Sequence, residues 1–319
     1  MNKYYFIFSA LIFFSCCKKE KFNTVEKIES NTFQTLNDVK FLNEQIGFCC
    51  GGNRYSTSTI LKTIDGGTTW HEIILSNKES QKELFGLDVL TNGTVVSAGF
   101  GGVVYVSNDT GNSFIFYQHG WEVFHDLCFQ DSLNAYLVGG VSFLSGVHST
   151  LRFPIVNVGN SNISDNFEIR DVDFINKQIG FICGYGAVKK TNDCGMNWNF
   201  TTAKNDYFKA MYWKNELEGI VVGDAGSICK TSDGGNTWKV IRNGNALLQK
   251  KYHLQDIDMK NEIALAVGDD GLILISKNSG DDWDEIKTNF SENLTSVFIL
   301  NTKNAIAVGE NGLILKIDL

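Results

Sequence analysis

Short apolar runs separated by polar turns return along this chain with a regular period. Each unit opens on an apolar strand: Val39-Lys40-Phe41, Leu87-Asp88-Val89, Leu127-Cys128-Phe129, Val172-Asp173-Phe174, Met211-Tyr212-Trp213, Ile257-Asp258-Met259 and Val297-Phe298-Ile299. A polar turn follows, then a second apolar strand that closes on Gly51, Gly99, Gly139, Gly184, Gly223, Gly268 or Gly309. The units start 48, 40, 45, 39, 46 and 40 residues apart, the period of propeller blades. A third strand follows each short glycine turn, as at 227–230, 272–275 and 313–316. The expected fold is all-β: a seven-bladed β-propeller of four-stranded antiparallel blades. With 31 glycines and 1 proline, the chain suits tight turns between hydrogen-bonded strands.

The most specific motif follows the third strand. It reads TIDGGTTW at 63–70, TNDCGMNW at 191–198 and TSDGGNTW at 231–238, with weaker copies SNDTGNSF at 107–114 and SKNSGDDW at 276–283. The pattern resembles the Asp-box of sialidase-type and related propellers. An aspartate can accept turn N–H groups and glycine supplies positive φ, while the aromatic residue anchors a fourth strand. Asp65, Asp109, Asp193 and Asp233, with Trp70, Trp198, Trp238 and Trp283, are therefore read as structural. They lie a blade apart and cannot converge on one reacting atom. The resemblance places these turns on the face opposite the usual binding face.

Two copies lack the motif. In the third, Arg152-Phe153-Pro154 stands in its place, and the proline falls where the outermost strand should begin. The seventh stops at Leu319, after its third strand. Its fourth strand is expected from residues 25–30, closing the ring and removing the exposed edges. The whole repeat resembles the photosystem II assembly-factor type of propeller, most closely over 171–198 and 257–283. That resemblance covers 25–319 and implies the fold more than the task.

The first residues are a separate object. Lys3 precedes an apolar run over 4–14, too short to span a bilayer but of signal-peptide size. Ser15-Cys16-Cys17 then resembles a bacterial lipobox, with Cys16 as the lipidated residue and Cys17 as the other choice. The expected organisation is 1–16 signal and lipobox, 17–24 tether and 25–319 propeller. Its expected location is the bacterial cell envelope, with a lipid anchor and the outer membrane favoured.

A net charge of −8 argues against a nucleic-acid partner. The six later cysteines have neither CxxC nor zinc-ligand spacing, and Cys50 and Cys183 share one strand position. No metal or cofactor is expected.

Functional candidates come from register. The residue two places before each first strand should stand at the mouth of the central channel: Asn37, Phe85, His125, Arg170, Lys209, Gln255 and Thr295. His125, Arg170 and Lys209 would form a cationic arc for a carboxylate, a phosphate or an acidic peptide, unless Asp126, Asp171 or Glu168 pairs with them. Trp121, Tyr207 and Tyr252 are aromatic candidates on the same face. Asp224, Asp269, Asp270 and Glu310 mark the turns of three late blades and read as a solvated rim.

Sialidases use an arginine triad, a tyrosine nucleophile and acidic partners. This chain has four arginines, Arg54, Arg152, Arg170 and Arg242, in loops that do not converge in register. No phosphate loop, HExxH or GxSxG is present. The expected function is non-catalytic protein or peptide binding at the cell envelope. A glycan-binding or glycan-cleaving propeller is the alternative.

Overall fold

The computed structural model describes residues 23–77, 80–142, 145–153, 163–243 and 252–319. Cys16, Cys17 and the signal segment lie outside the described residues. The first three sheets each hold four antiparallel strands. They are β2 (Thr35–Phe41), β3 (Gly47–Asn53), β4 (Thr57–Thr63) and β5 (His71–Glu72); β6 (Leu84–Val89), β7 (Val95–Gly99), β8 (Val103–Ser107) and β9 (Ile115–Gln118); and β10 (Phe124–Asp131), β11 (Asn134–Ser142), β12 (Ser145–Arg152) and β13 (Ile163–Asp165).

A six-stranded sheet follows: β14 (Ile169–Phe174), β15 (Gly180–Thr191), β16 (Asn199–Trp213), β17 (Gly219–Gly223), β18 (Ile228–Thr231) and β19 (Lys239–Arg242). Strand β16 pairs with β15 through its first part and with β17 through Phe208–Trp213, so it serves two neighbours. The next sheet holds β20 (Leu254–Lys260), β21 (Ile263–Gly268), β22 (Ile273–Ser276) and β23 (Asp284–Glu285). The last holds β24 (Leu294–Ile299), β25 (Asn304–Gly309), β26 (Ile314–Asp318) and β1 (Val25–Ile28). Strand β1 pairs antiparallel with β26, Val25 opposite Ile317 and Ile28 opposite Ile314.

The inner strands pack on one another in sequence: β2 on β6, β6 on β10, β10 on β14, β14 on β16, β16 on β20, β20 on β24, and β24 back on β2. Apolar residues alternate to both faces of each sheet, so the core lies between sheets. Phe48 and Ile60 of the first sheet, for example, bury against Leu84, Leu87 and Tyr105 of the second. Cys50 joins that cluster and Cys183 its counterpart farther round. The six described cysteines are free thiols.

The seven strand-closing glycines have one physical cause. A Cβ on Gly51, Gly99, Gly139, Gly184, Gly223, Gly268 or Gly309 would stand 1.9–2.2 Å from a carbonyl oxygen at the entry to the paired inner segment. No side chain fits there.

The outermost described strand of the third sheet is Ile163–Asp165. The expected strand start at Pro154 lies outside the described residues. Lys189 Nζ bonds both oxygens of Asp165, at 2.7 and 2.8 Å, and holds this short strand from the neighbouring sheet.

Candidate functional site: a channel mouth above an aspartate-lined interior

Every inner strand carries a β-bulge near its start. The register shifts fall between Leu36 and Asp38, Leu84 and Gly86, Phe124 and Asp126, and Ile169 and Asp171. They recur between Phe208 and Ala210, Leu254 and Asp256, and Leu294 and Ser296. The residue inside each bulge is Asn37, Phe85, His125, Arg170, Lys209, Gln255 or Thr295. A bulge adds a residue without a partner and re-aims its side chain. All seven line one cavity of about 150 Å3.

The mouth is not a bare cationic arc. Glu168 Oε1 lies 3.2 Å from both His125 Nε2 and Arg170 Nη1. Burial alone would raise Glu168, but His125 and Arg170 hold its pKa at about 2. His125 is shifted down, by burial first and then by the Arg170 charge, so it is neutral at pH 7. Lys209 is shifted down by burial, against the opposing pull of Asp224 at 3.6 Å. It also donates to Gln255 Oε1 at 3.2 Å, and Gln255 donates in turn to Asp269 at 2.8 Å. The acidic turns of the later sheets thus compensate the mouth's cations.

Two of the three aromatic candidates are not open surface. Tyr207 is half-buried, bonded to Glu168 and in edge contact with Tyr185 at 5.6 Å. Tyr252 packs against the Leu254 cluster. Trp121 is 76% exposed. Among the four arginines, Arg170 alone lines the mouth. Arg242 instead caps Gly226 O at 2.7 Å, on an outer rim cavity.

Below the mouth, alternate residues of the inner strands face a second cavity of about 230 Å3. Aspartates of the inner strands, most of them lining this cavity, accept backbone N–H groups from the next inner strand. Asp38 accepts from Leu87 at 2.8 Å, Asp88 from Phe129 at 2.8 Å and Asp126 from Val172 at 3.0 Å. Asp171 accepts from Met211, Asp173 from Trp213 at 3.2 Å, Asp256 from Val297 at 2.8 Å and Asp258 from Ile299 at 2.6 Å. Ser296 Oγ accepts from Val39 at 3.3 Å and takes this role between β24 and β2. Asp126 and Asp171, weighed above as partners for the mouth cations, are staples between strands.

Burial raises these carboxylates: Asp88 and Asp173 to about 6, Asp256 to about 7, and Asp126 and Asp258 in the same direction. Asp171 is raised further because it is buried and faces Asp126. Lys40 is the basic residue among those lining the second cavity. Burial would lower it, but Asp38, Asp256, Asp126 and Asp88 outweigh that and keep it charged. The sequence carries a signal for this interior in the Asp-x-Asp alternation of Arg170-Asp171-Val172-Asp173 and Gln255-Asp256-Ile257-Asp258. Among the described residues, no three His, Cys, Asp or Glu side chains gather as a metal site.

The TxDxG turns sit at the other end of the sheets. Gly66 N bonds Gln45 O at 2.9 Å and Gly234 N bonds Leu217 O at 2.9 Å, so each turn docks on the loop joining its first and second strands. Asp65 Oδ1 accepts from Thr63 Oγ1, Thr68 N and Thr69 N at 2.8, 3.1 and 2.9 Å. Asp109, Asp193 and Asp233 repeat the arrangement, and hydrogen bonds led by Ser113 hold Asp109 at about 2. Trp70 and Trp283 each donate to a box glycine carbonyl at 3.1 Å, whereas Trp198 donates to Tyr136 Oη at 3.0 Å. Trp238 meets Trp213 edge-on at 5.8 Å.

Comparison with known proteins fits this geometry. The family model described as photosynthesis system II assembly factor YCF48 matches residues 204–291. The solved structure "YCF48 bound to D1 peptide" is 14% identical with a TM-score of 0.70, over 94% of this chain and 96% of that one. YCF48 from Cyanidioschyzon merolae is 15% identical with a TM-score of 0.66, over 92% and 98%. The WD40 β-propeller domain of Doa1 is 12% identical with a TM-score of 0.69, over 92% and 95%. No curated protein sequence matches the chain. At these identities the likeness is one of fold: the chain is an all-β propeller of antiparallel sheets, part of which matches the YCF48 family model.

Proposed function

We propose that this chain is a non-catalytic binding or scaffold module, a seven-bladed propeller whose loop face takes a segment of a partner protein. The observation that carries the reading is the mouth. Seven bulged residues from successive inner strands surround one cavity and offer amide, hydroxyl, imidazole, guanidinium and ammonium groups to it. Such a ring reads shape and hydrogen bonding and places no nucleophile beside a base. Seven blades follow from the seven inner strands, with β16 shared between two blades and β1 completing the last. The complex of YCF48 with a D1 peptide, a propeller of this fold, supports a peptide over a sugar. Residues 1–16 hold an export signal and lipobox in which Cys16 is the lipidated residue, and residues 17–24 tether the domain to the bacterial envelope.

Capture of partners from envelope membranes tests the face. The Arg170→Ala/Lys209→Ala double variant is expected to lose at least about tenfold of the capture, since hydrogen bonds to charged groups contribute about 1.5–3 kcal/mol each. Unchanged capture removes the mouth as the site. Turnover of a sialoside or polysaccharide by the purified domain contradicts the non-catalytic reading. Cys16→Ala is expected to release the protein into the soluble fraction. Retention in membranes at the wild-type level contradicts the anchor.

A further inference from the structure

Loops of the first three sheets bring three aromatic rings and two cations together at the mouth end of the molecule. Arg54 and Tyr55 stand in the turn between β3 and β4, Phe100 between β7 and β8, Lys82 before β6, and Trp121 before β10. Tyr55 and Phe100 meet edge to face at 5.3 Å. The Arg54 guanidinium lies 5.1 Å from the Phe100 ring centre. Lys82 Nζ lies 5.8 Å from Phe100 and 5.6 Å from Trp121. The cluster is connected from Tyr55 to Trp121, yet Tyr55 is 73% exposed and Trp121 76%.

Its charge is unusual for this protein. Among the described residues neither Arg54 nor Lys82 forms an ion pair. Glu83 acts on Arg54 at longer range, and Asn37 of the mouth bonds that carboxylate at 3.1 Å. In a chain of net charge −8, two cations held over the half-buried Phe100 ring and the exposed Trp121 ring call for an anion. Covering them would also strengthen each cation–ring contact by removing water.

We propose that Arg54, Tyr55, Lys82, Phe100 and Trp121 form a docking surface for an acidic peptide segment that carries a large apolar side chain. The proposal rests on the loop-face reading above and extends it outward from the mouth. Carboxylates of the segment pair with Arg54 and Lys82, and its apolar side chain covers Trp121 and Tyr55. Asp269 and Glu310 on the later sheets, whose carboxylates meet the amides of Gln255 and Asn293, repel the same segment, so its acidic end is directed to the first three sheets.

The test follows the six tryptophan indole N–H resonances of the intact labelled protein, with Trp121 assigned through Trp121→Phe. The probes are Gly/Ser peptides of about ten residues carrying a Leu-Phe pair and glutamates, lysines or no charges. Only the glutamate peptide is expected to shift Trp121 saturably, with affinity falling at least about tenfold from low to high salt. Arg54→Glu/Lys82→Glu should weaken it at least about tenfold while leaving the buried indoles in place. The idea is overturned by an unmoved Trp121, an equal response to the lysine peptide, or indifference to charge reversal. Anionic phosphatidylglycerol vesicles that shift Trp121 where the peptide does not would also overturn it. If Trp121 stays silent while the mouth variants still abolish partner capture, only this surface falls. If neither responds, the loop-face reading falls with it.

Discussion

A chain that begins at Phe33 is expected to melt about 10 °C or more below one that begins at Asn23, and to associate through its exposed edge. The missing piece contains β1. It supplies the ladder from Val25 opposite Ile317 to Ile28 opposite Ile314, and Thr24 O accepts from Asp318 N at 2.9 Å. Val25 packs on the Leu315 cluster and Ile28 on the Leu36 cluster, so β1 joins the last sheet to the first. Backbone bonds at about 1 kcal/mol each and two partly buried apolar side chains sum to several kcal/mol. A synthetic peptide of residues 23–32 added to the shortened chain should recover most of the lost melting temperature. A monomeric shortened chain of unchanged stability would show that β1 is not what completes the last blade.

Lys40→Met is the second change with a large expected effect, and its size should depend on pH. Lys40 keeps 37% of its side-chain surface accessible, but that surface opens into the channel among Asp38, Asp88, Asp126 and Asp256. Removing the cation leaves those carboxylates without their counter-charge. Breaking a buried ion pair costs about 3–5 kcal/mol, and the channel's access to water argues for the lower end at pH 8.

The channel carboxylates' contribution to the pH dependence has a definite sign. Asp88 and Asp173 titrate at about 6 and Asp256 at about 7 in the fold, against about 3.9 in the unfolded chain. The native state therefore holds its protons more tightly. The stability this adds is complete below the unfolded value and is lost as pH rises through 6 to 7. Lys40→Met should recover much of its deficit between pH 8 and pH 5. In the unaltered protein, burial holds His119, His125 and His148 below their usual pKa, so their contribution to stability is lost over the same descent and offsets the carboxylates' gain. Asp171→Asn should gain stability at pH 8, because its amide can face Asp126 while its oxygen still accepts Met211 N–H. A Lys40→Met deficit equal at both pH values would contradict this account of the channel.

Repeat spacing made the inner strands and the mouth legible, because one column of glycines and one column of apolar residues pin the register in every copy. The same spacing could not show what compensates the mouth's cations. Glu168 reaches both His125 and Arg170 only because the bulge at Arg170 turns that side chain toward the channel. Nor does it show that β16 runs unbroken from one sheet into the next, since outer and inner strands read alike in sequence. The rim of the third sheet is not legible from spacing, because it lacks the TxDxG turn that marks the fourth strand elsewhere. Its Tyr136 instead bonds Trp198 from the following unit. Spacing singles out Trp121 but not its neighbours Tyr55 and Phe100, because the members of that cluster come from loops of different length with no shared register.

Site-specific photo-crosslinking in envelope membranes tests the central claim most directly. A photoreactive residue is placed at Phe85 or Gln255 on the mouth, or at Asn236 in a TxDxG turn at the opposite end. The account predicts that the mouth positions join the same polypeptide and that position 236 joins none. Crosslinks confined to position 236, or none from the mouth, would contradict it.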